Sequence, residues 1–187
     1  GIEITQLDSK RFKVSQPFLI DRSISFLNID TNDYGMETNP KPTPVGKPLL
    51  HKDLAGKPRK EDWNYRTAVG MLTYLQANSR PEMSMAVHQT ARFYNKPMLQ
   101  HEKAIKRLGR YLYHTKSEGI VYNPDTSKGL ECYVDADFAG GWQQADSEDA
   151  DNVLSRTGMV IMYANCPIFW RSTLQTEMAL STAEAEY

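Results

Sequence analysis

The sequence predicts an α+β fold, and three observations carry that prediction. Residues 61–116 place apolar side chains at helical spacing in three separate stripes. The regions before and after them alternate apolar and polar residues with the period of a strand. A proline-dense stretch then parts the first flank from the helices. The expected organisation is an N-terminal hairpin and helix with a linker (1–60), a three-helix bundle (61–116), and a mixed sheet ending at its first helix (117–187).

The elements follow in order. Gly1–Ile4 and Arg11–Ser15 alternate, and Asp8-Ser9 fits the turn between them. Pro17 suits the first turn of a helix capped by Ser15 or Gln16, with Ile20, Ile24 and Leu27 on one face. From Asp30 to Lys60 the periodicity disappears. Pro40, Pro42, Pro44, Pro48 and Pro58, with Gly35, Gly46 and Gly56, favour extended backbone. A stretch of this length is functional or a linker, and its residues suggest no chemistry.

Tyr65, Ala68, Val69, Leu72 and Leu75 make the first helical stripe. Met83, Ala86, Val87, Thr90, Ala91 and Tyr94 follow Pro81 as the second. Ala104, Ile105, Leu108, Tyr111 and Leu112 follow Pro97 as the third. Short connections between such helices imply a bundle, whose methionines and tyrosines read as core.

Gly119–Pro124 reads as a strand ending in a turn. Glu131–Gly140 alternates, with Leu130, Cys132, Val134 and Ala136 pointing one way and Glu131, Tyr133, Asp135 and Asp137 the other, as in a half-buried strand. Strands over Thr157–Tyr163 and Pro167–Ser172, joined by a tight turn, follow a long loop. Ser181 with Glu184 three residues on is a capping box for a helix whose first turn holds Glu186. The loop acids Asp146, Glu148, Asp149 and Asp151 lack the glycine and terminal glutamate of a calcium loop.

Composition narrows the function classes. A net charge of −1 hides an asymmetry: twelve bases against four acids in 57–116, and three bases against twelve acids in 117–187. A basic middle attracts phosphates and an acidic end attracts divalent cations. Lys103, Lys106, Arg107 and Arg110 form a basic stripe on the third helix, read either as a solvated face or as a phosphate contact, with Glu102 the one acid nearby in sequence. Two cysteines, Cys132 and Cys166, are too few for a disulfide framework or a four-ligand zinc site, and a reducing compartment is the default. The four histidines pair with neither cysteine. No apolar run suits a membrane span. The first residue is glycine, no signal peptide is expected, and a last helix cut in its first turn reads as a piece of a larger protein.

Asp135 near a strand end and Glu186 at a helix are two parts of a magnesium site, or two surface acids on a small domain. Two-metal enzymes cluster carboxylates because magnesium takes hard oxygen ligands. Tyr133-Val134-Asp135-Ala136-Asp137 is not a polymerase hairpin, since an alanine parts its aspartates.

Tyr133–Gly140, Ser155–Gly158, Ile168–Ser172 and Ala179–Tyr187, in that order, closely resemble the ribonuclease H region of copia-type LTR retrotransposon polyproteins. Gly1–Ile4 with Ser15–Ile20 resembles the family's palm end and thumb. Asn64–Arg66, Leu72–Leu75, Arg80–Glu82 and Leu108–Leu112 resemble the helical connection before its ribonuclease H domain. The resemblance implies the C-terminal part of a reverse transcriptase, with a thumb-like start, joined to a truncated ribonuclease H-like sheet. It implies Asp135 and Glu186 as catalytic metal ligands for Mg2+, with Mn2+ as an alternative, and Glu186 is preferred over Glu184. It implies an RNA–DNA hybrid or other nucleic acid and the remainder of the polyprotein as partners, inside the cell in a cytoplasmic particle or the nucleus. The chain alone is expected to lack both activities, because further acids of each site are missing. The alternative is a degenerate, non-catalytic nucleic-acid-binding remnant.

Overall fold

A computed structural model of the chain describes residues 1–29, 41–144 and 149–187. The signals at Gly35, Pro40, Asp146 and Glu148 lie outside the described residues. The chain divides into two compact units, Gly1–Val121 and Tyr122–Tyr187.

The first unit opens with β1 (Glu3–Gln6) paired antiparallel to β2 (Phe12–Ser15). Asp8 makes the turn: its Oδ1 accepts from the backbone N–H groups of Lys10 (2.9 Å) and Arg11 (2.8 Å). Those bonds, Lys10 first, favour the carboxylate and bring its pKa to about 2. The helix α1 (Pro17–Phe26) starts after Gln16, and Pro17 supplies a fixed φ where no amide donor is needed. The strand β3 (Ile120–Tyr122) adds beside β2, giving the order β1-β2-β3. Gly119 has to be glycine there: a Cβ would sit 2.3 Å from the Val14 carbonyl oxygen, which is backbone and cannot swing aside.

The three helices expected over 61–116 are α2 (Tyr65–Asn78), α3 (Ser84–Ala91) and α4 (Leu99–His114), with a 3-10 turn at Pro81–Met83 leading into α3. Asn64 caps α2, accepting from Thr67 N at 3.0 Å. The predicted stripes are the core: Leu72, Leu75, Met83, Ile105, Leu108 and Leu112 are fully buried, and Ile20 and Leu27 of the α1 region join them. The α1 helix and the bundle thus share one core. Tyr94 falls beyond α3 and is exposed.

The proline-rich stretch has no helix or strand from residue 41 to 60, yet its end is docked. Glu102, buried on α4, accepts from the backbone N–H groups of Lys60 (3.1 Å) and Glu61 (3.0 Å). The Arg59 guanidinium lies over the Trp63 ring at 4.3 Å and donates to the Trp63 carbonyl. Its Nε is 3.4 Å from Glu102 Oε2, an ion pair that does not close as a hydrogen bond.

His101, also buried on α4, takes the Met98 N–H on Nδ1 at 2.8 Å and places Nε2 2.9 Å from the His51 carbonyl oxygen. That pattern requires the neutral ring protonated on Nε2. Burial lowers its pKa, against the His51 carbonyl and Asp53, which raise it, while His51's own charge lowers it further. A folded pKa below the unfolded ~6.5 means the unfolded state binds more protons, so this contribution is present above that value and is lost as pH falls. Thermal unfolding should shift to lower temperature below about pH 6.5, and less so in His101→Gln. Equal pH dependence in both proteins would exclude His101 as the cause.

In the second unit, β4 (Leu130–Ala136), β5 (Arg156–Tyr163) and β6 (Cys166–Leu174) pair in that order, antiparallel throughout. The mixed sheet expected there is not formed among the described residues, because each strand meets its chain neighbour by reversing direction. Ala164 and Asn165 make the tight turn, both with positive φ (49° and 61°), as a two-residue hairpin turn of matching twist requires. The helix α5 (Thr182–Ala185) is a single turn. β4 is not the half-buried strand its alternation suggests: Tyr133 and Val134 point to opposite faces and are 59% and 56% exposed. Among the described residues, one short helix covers too little of the sheet to bury either face. Cys132 is exposed, Cys166 is buried, and both thiols are free.

Candidate functional site

Asp135 is the next-to-last residue of β4 and is exposed. Gly158 lies opposite it on β5, and Ser172 follows on β6. The absence of a side chain at Gly158 leaves open space beside the carboxylate. Cross-strand partners share a face, so Asp135 looks out on the side of Ser172, whose hydroxyl is 3.4 Å from Arg156 Nη1. Arg156 was not singled out by its charge, yet its register puts it on the face of Asp135.

Asp137 does different work. Its Oδ1 accepts from Arg156 N at 2.6 Å while its own N–H donates to the Arg156 carbonyl at 3.0 Å. It closes the ends of β4 and β5. A Cβ on Gly140 would meet its carboxylate at 2.5 Å.

The two glutamates of the last run also separate. Ser181 caps α5 by accepting from Glu184 N at 3.1 Å, and the Glu184 carboxylate reaches back to Leu180 N at 2.6 Å. This is the capping box shifted by one amide, and it commits Glu184 to the turn. Glu186 follows the last residue of α5 rather than lying in its first turn, and is exposed. Among the described residues, neither the Asp135 nor the Glu186 carboxylate has a hydrogen bond or ion pair.

Gln175 ties α5 to the sheet. Its Nε2 lies 3.0 Å from Thr157 Oγ1 and 2.6 Å from the Ala185 carbonyl, and its backbone N–H donates to the Ser155 carbonyl at 2.8 Å. Thr157 pairs with Ala136, so the residue before Glu186 is fastened one rung from Asp135. By strand alternation, Thr157 and Asp135 leave the sheet on opposite faces. Among the described residues, no three His, Cys, Asp or Glu side chains come close enough to hold a metal ion. Two carboxylates with no other partner suit a hard divalent cation in donor chemistry, but do not enclose one.

The basic stripe of α4 divides in the first unit. The Lys106 ammonium pairs with Glu61, which holds that carboxyl below its usual range. The low count of neighbouring acids in the sequence therefore missed a partner from 45 residues away. Arg107 donates from Nε to the Thr43 carbonyl at 3.2 Å and from Nη2 to the Thr43 hydroxyl at 3.1 Å. Lys103 is exposed, and Arg110 is half-buried. Lys103, Arg107 and Arg110 line one cavity together with residues of 41–50. Among the described residues, no helix is long and apolar enough to cross a membrane.

Comparison with known proteins shows what the chain is similar to. It is 34% identical over 148 residues to the retrovirus-related Pol polyprotein from transposon RE1 of Arabidopsis thaliana, covering 79% of this chain and 10% of that protein. It is 32% identical over 190 residues to the polyprotein from transposon TNT 1-94 of Nicotiana tabacum, covering 98% of this chain and 13% of that one. Secreted RxLR effector protein 161 of Plasmopara viticola is 33% identical over 123 residues, 66% of this chain and 81% of the effector. No family model and no solved structure matches. The chain spans about a tenth of the length of the polyproteins it matches first. On these matches, which run over most of its length, the chain belongs to the copia-type retrotransposon polyproteins.

Proposed function

We propose that the chain corresponds to the junction between a reverse transcriptase and its ribonuclease H domain, and that Asp135 and Glu186 are magnesium ligands for cleaving RNA in an RNA–DNA hybrid. One observation carries the site assignment: of the four acids in the two motifs, Asp137 and Glu184 are spent on backbone amides, while Asp135 and Glu186 are not. Divalent ions bound there would activate water and stabilise the leaving 3′ oxygen. The chain's own part is to hold the two oxygen donors at one end of the sheet, Asp135 by strand register and Glu186 by the Gln175 tie. Polyprotein residues outside the chain supply the remaining acids. Lys103, Lys106, Arg107 and Arg110 belong to the helix that approaches the nucleic acid, Lys106 through exchange of its pairing with Glu61.

The test is strand-specific cleavage by a retrotransposon polyprotein carrying this chain. Magnesium-dependent loss of the RNA strand of a hybrid, with the DNA strand intact, supports the proposal. No cleavage in magnesium or manganese counts against it.

A second reading has its own support. The match to the RxLR effector covers most of that shorter protein, and no three-ligand group forms among the described residues. A non-catalytic remnant that binds nucleic acid would retain hybrid binding with no cleavage in any metal.

A further inference from the structure

We propose that Glu61 is an autoinhibitory side chain: it occupies Lys106 at the centre of the α4 basic stripe, and a nucleic acid has to displace it to use that stripe in full. The proposal deepens the nucleic-acid reading of α4 and rests on it. Both residues belong to the first unit.

Helical spacing makes Lys106 the middle of the stripe. Lys103 precedes it by three positions and Arg110 follows it by four, so each is its neighbour on the helix surface. Lys103 and Arg110 stand two turns apart, about 10 Å along the axis, and Lys106 divides that interval. Arg107 is bonded to Thr43 instead. A polyanion following the stripe therefore meets Lys106 between the other two bases. At that point the chain places a carboxylate of its own.

Glu61 is held in that position from three directions. Its Oε1 pairs with the Lys106 ammonium, its Oε2 accepts from Asn28 Nδ2 at 3.2 Å, and its backbone N–H donates to the buried Glu102 carboxylate at 3.0 Å. The last bond fixes the main chain, so the gate opens by a swing of the Glu61 side chain alone. The Lys106 and Glu61 side chains keep 21% and 24% of their surface exposed, which leaves the ammonium within reach once the carboxylate moves away. Phosphate oxygens accept the same charge-assisted bond as a carboxylate, so one anion replaces the other. While Glu61 holds it, Lys106 neutralises no phosphate and contributes nothing to counterion release. A fixed carboxylate on the path of the strand also repels it.

The test is binding of a short fluorescein-labelled RNA–DNA hybrid to the 187-residue chain, followed by anisotropy across a salt series. Glu61→Gln should bind about three- to tenfold more tightly at low salt, with a slope steeper by about 0.7–0.9. Glutamine keeps an oxygen for Asn28 and leaves the backbone bond to Glu102 in place. Asn28→Gly suits the positive φ of 50° at that position. It frees Glu61 Oε2 with no change of charge and should tighten binding about twofold. In a Lys106→Gln background, Glu61→Gln should gain less than about twofold, because only the screened long-range effect remains. Asp62→Asn, an exposed neighbour with the same change in net charge, should also stay under about twofold. No gain in Glu61→Gln or Asn28→Gly overturns the proposal, as does a Glu61→Gln gain of equal size without Lys106 or in Asp62→Asn. Hybrid binding by the wild-type chain with no such gain removes the gate alone. No hybrid binding by any variant removes the nucleic-acid reading of α4 together with it.

Discussion

Asp135→Asn and Glu186→Gln should each lower hybrid cleavage by a retrotransposon polyprotein by about a thousandfold. The estimate follows from several kcal/mol of charge stabilisation supplied by bound divalent ions at about 1.4 kcal/mol per tenfold in rate. Both changes keep the size of the side chain, and both positions are exposed, so stability should be nearly untouched. If the pair serves the same ions, the double variant should be little worse than either single one. The neighbouring acids supply the controls. Asp137→Asn weakens the bond to Arg156 N and should cost about 1–2 kcal/mol of stability while folded protein still cleaves. Glu184→Gln retains an oxygen for Leu180 N and should leave the rate within about twofold. Glu184→Gln as damaging as Glu186→Gln would reverse the assignment of the two glutamates. Full activity in Asp135→Asn would remove the site altogether.

Glu102→Ala should destabilise the first unit by about 3–5 kcal/mol, the usual cost of stripping one member from a buried ion pair. At 3% exposure, the carboxylate satisfies two backbone donors and faces the Arg59 guanidinium. Alanine leaves those donors unpartnered and the cation partly buried. Glu102→Gln keeps an acceptor oxygen, loses only the charge, and should cost less, about 1–3 kcal/mol. Denaturant unfolding followed by the helical circular dichroism measures both. Because Arg59 lies over Trp63, the tryptophan emission should change with the same midpoint. A loss under about 1 kcal/mol for alanine would show that residues 57–63 are not held by this contact.

Local pattern revealed much of the architecture. The helical stripes mark the core because burial and helical period act on the same few residues, and Leu72, Leu108 and Leu112 need no distant information. The Ser181 cap and the turns at Asp8 and Ala164-Asn165 are equally local. What stayed hidden depends on contacts distant in sequence. Nothing local marks Arg80 as buried, yet it is 1% exposed, donating to the Thr115 carbonyl at 3.1 Å and its hydroxyl at 2.6 Å. Glu102 looked like the lone acid of a basic helix and is instead the anchor of the linker. Lys106 looked unpaired, but Glu61, 45 residues earlier at the end of the linker, pairs with it. The alternation of β4 gave the strand itself, but not its openness, since exposure depends on what packs over a sheet. At the candidate site, the residue types of both motifs were plain from sequence. That Asp137 and Glu184 accept from backbone amides while Asp135 and Glu186 do not was visible only in the hydrogen-bond geometry.

The closure between β4 and β5 has a consequence for how this region can vary. Asp137 bonds twice to Arg156, and Ala139 N lies 3.3 Å from Ser155 Oγ. These contacts clamp the chain just before residue 140 and just after residue 154. Insertions or deletions between those points change the length of a tethered excursion whose two feet are already fixed, at a closure cost that grows only slowly with length. Related elements can therefore lengthen or shorten the excursion while the Asp135 rung keeps its alignment. A change at Asp137, although it lies outside the proposed ligand pair, would loosen that alignment directly.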